Sequence, residues 1–260
     1  MIEVIYIATD DYSKYYDGFI DTIKYFFPNE EKIVRVLSNV DRNYYIPEDS
    51  NINRVEYFKI FDLFYPCINL NKTYFISQLP KTEADYVFYF DADTMFFQTD
   101  ESVWDNLKND MDNGCFCIGK HPYYSISDEY SYKWRYVENF FEFLTTRDST
   151  QLSYIPEYYY TYVISSFFCA RRDIMEDICE QVNELTRGDL KRKNCYRIPL
   201  YMDENYFNKL VYNWEFNNDK RNNFSVKNYI LLTNSNNIHS EGESFIFQKN
   251  NNDENKRLRQ

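Results

Sequence analysis

The run Tyr86-Val87-Phe88-Tyr89-Phe90 constrains the fold of this chain more than any other stretch. It is short, apolar and rich in aromatic residues, which suits a strand covered on both faces, as the strands of parallel sheets are. It stops at Asp91-Ala92-Asp93, and Met95-Phe96-Phe97 turns apolar again almost at once. Aspartate is common in solvated turns at strand ends, so the tripeptide alone means little. Flanked by core on both sides, however, a pair of carboxylates costs desolvation free energy unless something compensates it. In open α/β sheets ligands settle beyond the carboxyl ends of the strands, and in extended backbone residues two apart point to one face. Asp91 and Asp93 are therefore expected to share one hard divalent cation, Mn²⁺ or Mg²⁺. Such an ion binds through one or two carboxylates and completes its shell with phosphate oxygens and water.

The flanking sequence supplies the rest of an α/β domain. Val4 to Ala8 reads as a buried strand and Thr9-Asp10-Asp11 as a turn. Tyr12, Tyr15, Tyr16, Phe19, Ile20, Ile23, Phe26 and Phe27 then recur at the three- and four-residue steps of one amphipathic helix, stopped by Pro28-Asn29. Lys32 to Leu37 reads as the next strand, so strand, helix, strand opens a parallel sheet with right-handed crossovers. Further along, Val55 to Leu63 and Lys72 to Leu79 fit helices, and Gly114 to Gly119 and Tyr162 to Ala170 fit strands. Trp134, Val137, Phe140, Phe141 and Leu144 form a helical stripe, and Asp173 to Leu185 and Met202 to Tyr212 read as helices. With no repeat and no break in composition, the 260 residues are expected to form one domain over residues 1–248. Residues 249–260 are nearly all Asn and charge, carry too little apolar surface to fold alone, and are expected to form a flexible tail.

A net charge of −12 excludes nucleic acid as the main partner, because a phosphate backbone demands a basic surface. Any nucleotide here is a small ligand. No run approaches the roughly 18 apolar residues that span a bilayer, and Met1 to Tyr12 meets a charged pair before a signal-like segment develops. A cytoplasmic location without a transmembrane segment is expected. The six cysteines show no paired Cys-x-x-Cys spacing, which argues for reduced thiols rather than structural zinc.

Five short segments carry a resemblance. Tyr6-Ile7-Ala8-Thr9-Asp10-Asp11-Tyr12, Asp85-Tyr86 through Phe96, His121-Pro122, Tyr154-Ile155-Pro156 and Tyr201-Met202-Asp203-Glu204-Asn205-Tyr206-Phe207-Asn208-Lys209 follow one another in an order and spacing that resembles retaining glycosyltransferase family 6, the ABO blood-group and α-1,3-galactosyltransferase group. The last is similar to that family's Trp-His-Asp-Glu-Ser-x-x-Asn-Lys. The resemblance implies a GT-A glycosyltransferase fold, with a mostly parallel, Rossmann-like central sheet flanked by helices. It implies transfer of galactose or N-acetylgalactosamine from a UDP-sugar donor to an oligosaccharide or glycolipid acceptor, in α-1,3 linkage. By the same resemblance the backbone at Ile7 and Ala8 and the ring of Tyr12 hold the uracil, and Asp91 and Asp93 hold metal and donor. Ile164, Ser165 and Ser166 select the donor sugar, and Asp203 orients its hydroxyls. Glu204 faces the anomeric carbon and the acceptor, while His121 and Tyr201 bind the acceptor. Lys249 falls at a lysine of the family's C-terminal segment, which orders over the nucleotide and meets the diphosphate; Lys256, Arg257 and Arg259 are the candidates for an accompanying arginine. Two departures stand out. Tyr201-Met202 replaces Trp-His, and the arginine that the family uses near the phosphates has no match around Asn69 to Lys72, where Lys72 is a weak substitute.

Taken singly, these residues have plainer roles. Asp203 and Glu204 suit a helix N-terminus, where each contributes about 0.3 to 1 kcal/mol against the macrodipole. His121 fits a satisfied structural histidine, Tyr12 and Tyr201 fit core aromatics, and a charged chain end is often only solvated. If the chain does transfer sugars with retention, Glu204 is the expected nucleophile or cation stabiliser. Two other readings compete. The glycogenin-like family 8 shares an Asp-Asp turn after its first strand and an Asp-x-Asp, but its late His and Lys-Pro-Trp signature is not found here. A non-catalytic carbohydrate-binding module has no need of both a metal pair and a glutamate.

Overall fold

The apolar runs become the middle of a mixed sheet. In the computed structural model, which describes residues 1–61, 67–120, 163–190, 203–216, 223–227, 230–233, 238–239 and 246–250, β1 (Ile2–Ile7) lies between β2 (Lys32–Ser38) and β4 (Tyr86–Asp91), all parallel. The edge strand β3 (Ile52–Lys59) is parallel to β2. Beyond β4 come β7 (Val163–Arg171), antiparallel to both neighbours, then β6 (Cys115–Lys120) and, parallel to it, β8 (Asn223–Lys227). The order β3-β2-β1-β4-β7-β6-β8 makes a seven-stranded, mostly parallel sheet of an α/β protein. A second sheet of β5 (Thr94–Phe96), β9 (Ile230–Thr233), β10 (Ile238–His239) and β11 (Ile246–Asn250) has the order β10-β9-β11-β5.

Six α-helices complete the described part: α1 (Tyr16–Thr22), α2 (Cys67–Leu70), α3 (Lys72–Gln78), α4 (Glu101–Asp112), α5 (Arg172–Leu190) and α6 (Asp203–Phe216). Asp100 caps α4 by accepting from the Ser102 amide at 2.9 Å, and the helix buries Val103, Trp104, Leu107 and Met111 at helical spacing. The two faces of the sheet carry separate aromatic cores. Phe26, Phe88, Phe90, Phe96 and Trp104 pack on one side, and Tyr89, Phe116, Phe168, Phe207 and Trp214 on the other. Phe26 alone has five aromatic neighbours, Phe27 among them, at ring-centroid distances of 4.8 to 5.3 Å on that face, so truncating it to Ala would cost about 3 to 5 kcal/mol. No helix among the described residues is long and apolar enough to cross a membrane.

Three expectations change. The helix expected over Val55 to Leu63 is not formed at its start: Val55 to Lys59 belong to β3, where Val55 and Tyr57 face one core cluster and Phe58 the other, and pairing with β2 decides the conformation, while Asp62 and Leu63 lie outside the described residues. The stripe from Tyr12 to Phe27 is not one helix but a 3₁₀ stretch, α1 and a second 3₁₀ turn. At its break the Thr22 hydroxyl bonds back to the carbonyls of Gly18 (2.7 Å) and Phe19 (3.1 Å) and accepts from the Phe96 amide (3.1 Å), which tightens the turn. The proposed start of the tail at residue 249 falls inside β11, where Lys249 pairs with Leu232 and Asn250 with Thr233. Residues 251–260, Tyr162 and the stripe from Trp134 to Leu144 lie outside the described residues.

Candidate active site

β7 is longer than its partner, and the site is built on the difference. β4 pairs with it only from Tyr86 opposite Arg171 to Phe90 opposite Phe167, so Val163 to Ser166 run on past the last paired residue of β4. On that overhang, side chains fill the place of a neighbouring strand. From α3, Lys72 Nζ reaches the Ser165 carbonyl at 3.3 Å and its hydroxyl at 3.4 Å. From α6, Asn208 accepts from the Val163 amide at 3.0 Å and donates to its carbonyl at 2.7 Å.

Lys72 is the centre of a charged cluster although only 4% of it is exposed. Its Nζ lies 2.9 Å from Asp203 Oδ2 and 3.2 Å from Asp91 Oδ1, and 4.9 Å above the ring of Tyr89, whose hydroxyl donates to Asp91 Oδ1 at 2.7 Å. Burial by itself pulls the ammonium towards neutrality, but the carboxylates of Asp203 and Asp91 more than reverse this and hold Lys72 protonated. For Asp203, burial raises the carboxyl above its usual range, and Lys72 and Ser165 offset only part of that. Tyr89 is pushed up first by burial and then by the Asp91 charge. Asp203 Oδ2 is close enough to Lys72 for an ion pair yet outside hydrogen-bond geometry, so a buried oxygen keeps an unfilled lone pair.

The Asp-x-Asp segment is not extended as expected. β4 ends at Asp91, Ala92 and Asp93 form a turn, and β5 starts at Thr94. Strand alternation therefore does not place both carboxylates on one face; their relation comes from the turn. Asp93 is half-buried, and its charge adds to the burial that lifts the phenol of Tyr6 on β1. A side-chain cluster of two carboxylates and one ammonium, with one oxygen unfilled, still favours added positive charge. Among the described residues no group of three or more His, Cys, Asp or Glu converges into a closed metal cage. Asp91 and Asp93 supply the two carboxylates that Mg²⁺ or Mn²⁺ uses when phosphate oxygens complete the shell. Both are hard oxygen donors of the type such an ion takes.

The expected site residues divide into three sets. Asp91, Ser165 and Asp203 meet at Lys72; Ser166 and Ile164 are buried beside Ser165 on β7, and Glu204 follows Asp203 in the first turn of α6, half-buried. Ile7 is opposite Asp91 across the β1–β4 ladder, Ala8 continues β1 with its amide on the Leu37 carbonyl at 3.0 Å, and Tyr12 lies in the 3₁₀ stretch that follows, packed against the core and 5.8 Å from Tyr15. Lys249 is in β11, and His121 and Tyr201 lie outside the described residues. Sequence reasoning undervalued Lys72 and passed over Tyr89 and Asn208. The burial of Lys72 on a helix already read from Lys72 to Leu79 was the missing information, and composition does not carry it.

Cavities of about 580 and 390 Å³ open near Lys81, Arg172 and Glu176, at the opposite end of the sheet. Asp91 lines neither, and the charges there are paired among themselves, Lys81 with Glu176 and Arg172 with Glu3. No protein-family model matches the chain, and no curated protein sequence matches it significantly.

Proposed function

We propose that this chain is a metal-dependent, retaining glycosyltransferase of GT-A type that moves galactose or N-acetylgalactosamine from a UDP-sugar to a carbohydrate acceptor. One observation carries the reading. Asp91 and Asp203, far apart in sequence, converge on the buried ammonium of Lys72 just beyond the carboxyl end of β4, with Glu204 next to Asp203. Ligands of open α/β sheets occupy that place.

Asp91 and Asp93 would hold Mn²⁺ or Mg²⁺, which when bound neutralises charge on a departing diphosphate. Asp203, fixed by Lys72 and carrying the unfilled oxygen, would accept a hydrogen bond from a hydroxyl of the donor sugar. Ser165 and Ser166 leave more room beside it than larger side chains would. Glu204 sits at the N-terminus of α6 and would face the anomeric carbon as nucleophile or as stabiliser of a developing cation. The arginine that the resembled family uses near the phosphates has no clear match here, and Lys72 is only a weak substitute for it. Its stem is compact and its charge single, so it can anchor two carboxylates but offers no planar fork to a diphosphate.

The test uses the purified chain with UDP-galactose, UDP-N-acetylgalactosamine and Mn²⁺, scored for released UDP, together with calorimetry in the presence and absence of chelator. Hydrolysis of at least one donor is expected, with donor affinity falling about 100-fold in chelator or in the Asp91→Asn, Asp93→Asn double variant. Full stability of both donors, or an affinity indifferent to chelator, overturns the reading.

A further inference from the structure

We infer that Asn208 is a positioning residue: its carboxamide locks the first turn of α6, and with it Asp203 and Glu204, against the overhang of β7 that carries Ser165 and Ser166. The inference deepens the functional reading above and rests on it for its catalytic consequence. Asn208 is 5% exposed and turns both amide protons and its carboxamide oxygen to the main chain. It accepts from Val163 N at 3.0 Å, and its amide nitrogen donates to Val163 O at 2.7 Å and to Glu204 O at 2.9 Å.

Asparagine is a poor helix former because its side chain competes for backbone groups, so one inside α6 calls for a reason. Here the reason is that among the described residues Val163 has a strand partner, Lys120, on one side only; on the other side β4 has already ended. Without Asn208, both main-chain groups of Val163 would be buried and unfilled, a cost of about 1 to 3 kcal/mol each. The bond to the Glu204 carbonyl makes the same amide span strand and helix, so one side chain fixes the spacing between the catalytic turn and the sugar-facing strand. A misplacement of about 1 Å at a reacting group lowers turnover roughly 100-fold.

The experiment compares full-length Asn208→Ala and Asn208→Ser with Asn183→Ala. Asn183 is as buried, at 6%, and is also hydrogen bonded, to Thr73 at 2.9 Å and Ser77 at 3.4 Å, but it ties α5 to α3 outside the charged cluster. Four quantities are read: kcat and KM for donor hydrolysis with Mn²⁺, the melting temperature, and hydrogen exchange at the Val163 amide. Asn208→Ala is expected to lower kcat roughly 100-fold with KM within about 3-fold, and to speed Val163 exchange by about 10-fold or more. Asn183→Ala is expected to lose comparable melting temperature with kcat nearly intact. Should Asn208→Ala not fold, Asn208→Ser, which keeps a hydroxyl and most of the small volume, carries the comparison. A kcat loss no larger than that of Asn183→Ala, or Val163 exchange unchanged, overturns the inference. If the unaltered chain hydrolyses neither donor, the transferase reading fails separately, and Val163 exchange alone decides whether Asn208 makes the lock.

Discussion

The two ends of the main sheet both bury charge, and they do so in opposite ways. At the amino end Glu3 is as buried as Asp203 is at the carboxyl end, 1% against 3% exposed. Both Glu3 oxygens are filled: Oε1 by Arg35 at 3.4 Å, and Oε2 by Arg172 at 2.8 Å and by the Thr82 hydroxyl. Arg35 continues to Glu56 at 2.9 Å and to the Pro80 carbonyl at 2.6 Å. This is a closed network. At the carboxyl end one ammonium serves two carboxylates and a buried oxygen is left open. A closed network holds strands together, and removing one member leaves the others stranded. An open one keeps capacity for a ligand and gives up stability to do so.

The largest expected effect lies at the open end. Glu204→Ala should lower sugar transfer about 1,000-fold, near 4 kcal/mol of transition-state stabilisation, while donor affinity by calorimetry stays within about 3-fold. Near-normal turnover would remove Glu204 from the chemistry. Next comes the closed end: Glu3→Gln should cost about 2 to 3 kcal/mol of unfolding free energy in urea titration, because it leaves Arg35 and Arg172 short of a charge, with kcat unchanged. The matching substitution at the open end, Asp203→Asn, should change stability by less than about 1 kcal/mol, since it removes a carboxylate that burial already disfavours, yet should still cut turnover by about 10-fold or more. If the two amide variants destabilise equally, the contrast between the ends is wrong.

Two buried lysines sharpen the same contrast through pH. Lys32, at the start of β2, meets only carbonyls, of Phe27 at 2.9 Å, Glu30 at 3.0 Å and Ser50 at 3.4 Å; burial lowers its pKa to about 8 despite the nearby Glu30 charge. Lys72, between carboxylates, is shifted up instead. Above about pH 8 the folded chain releases the Lys32 proton, which the unfolded chain keeps up to its ordinary value of 10.5, so the unfolded state binds more protons and stability rises with pH. Above about pH 9 the thiols of the unfolded chain ionise while Cys169 and Cys179, pushed up by burial, stay protonated in the fold, and above pH 10 Tyr45 and Tyr86, raised to about 12 by burial and then by Asp21 and Asp112, do the same, so stability falls again. Urea midpoints from pH 7 to 11 should therefore pass through a small maximum near pH 9, and Lys32→Met should flatten the rise.

What could be read from the sequence follows from locality. β1, β2 and β4 announce themselves because a strand covered on both faces is apolar over most of its length, and the helices at Lys72, Asp173 and Met202 because their stripes are regular. β3 was misread because an edge strand is half-exposed, and its mixture of Arg, Glu, Val and Tyr suits either conformation until β2 lies beside it. The break in the Tyr12 to Phe27 stripe depends on Thr22 meeting the Phe96 amide, a contact that no local pattern contains. The same holds for the site. Asp91, Asp203 and Glu204 were found as residue types in suggestive places, but the joint dependence of Asp91 and Asp203 on Lys72 arises only when α3, β4, β7 and the first turn of α6 are packed together. The turn at Ala92 and Asp93 was taken for continuous strand because apolar residues resume so soon after it.

The small second sheet gives the order of assembly a role. Leaving the turn at Asp93, the chain enters β5 at once, and the sole strand partner of β5 among the described residues is β11, in which Gln248 pairs with Thr94 and Phe247 with Met95. During synthesis β1, β2 and β4 are complete about 150 residues before β11 is made, and they can pair in the meantime. The downstream arm of the Asp93 turn, by contrast, waits for β11. A nascent chain can thus hold the parallel strands β1, β2 and β4 together long before the far side of the Asp93 turn is held in place.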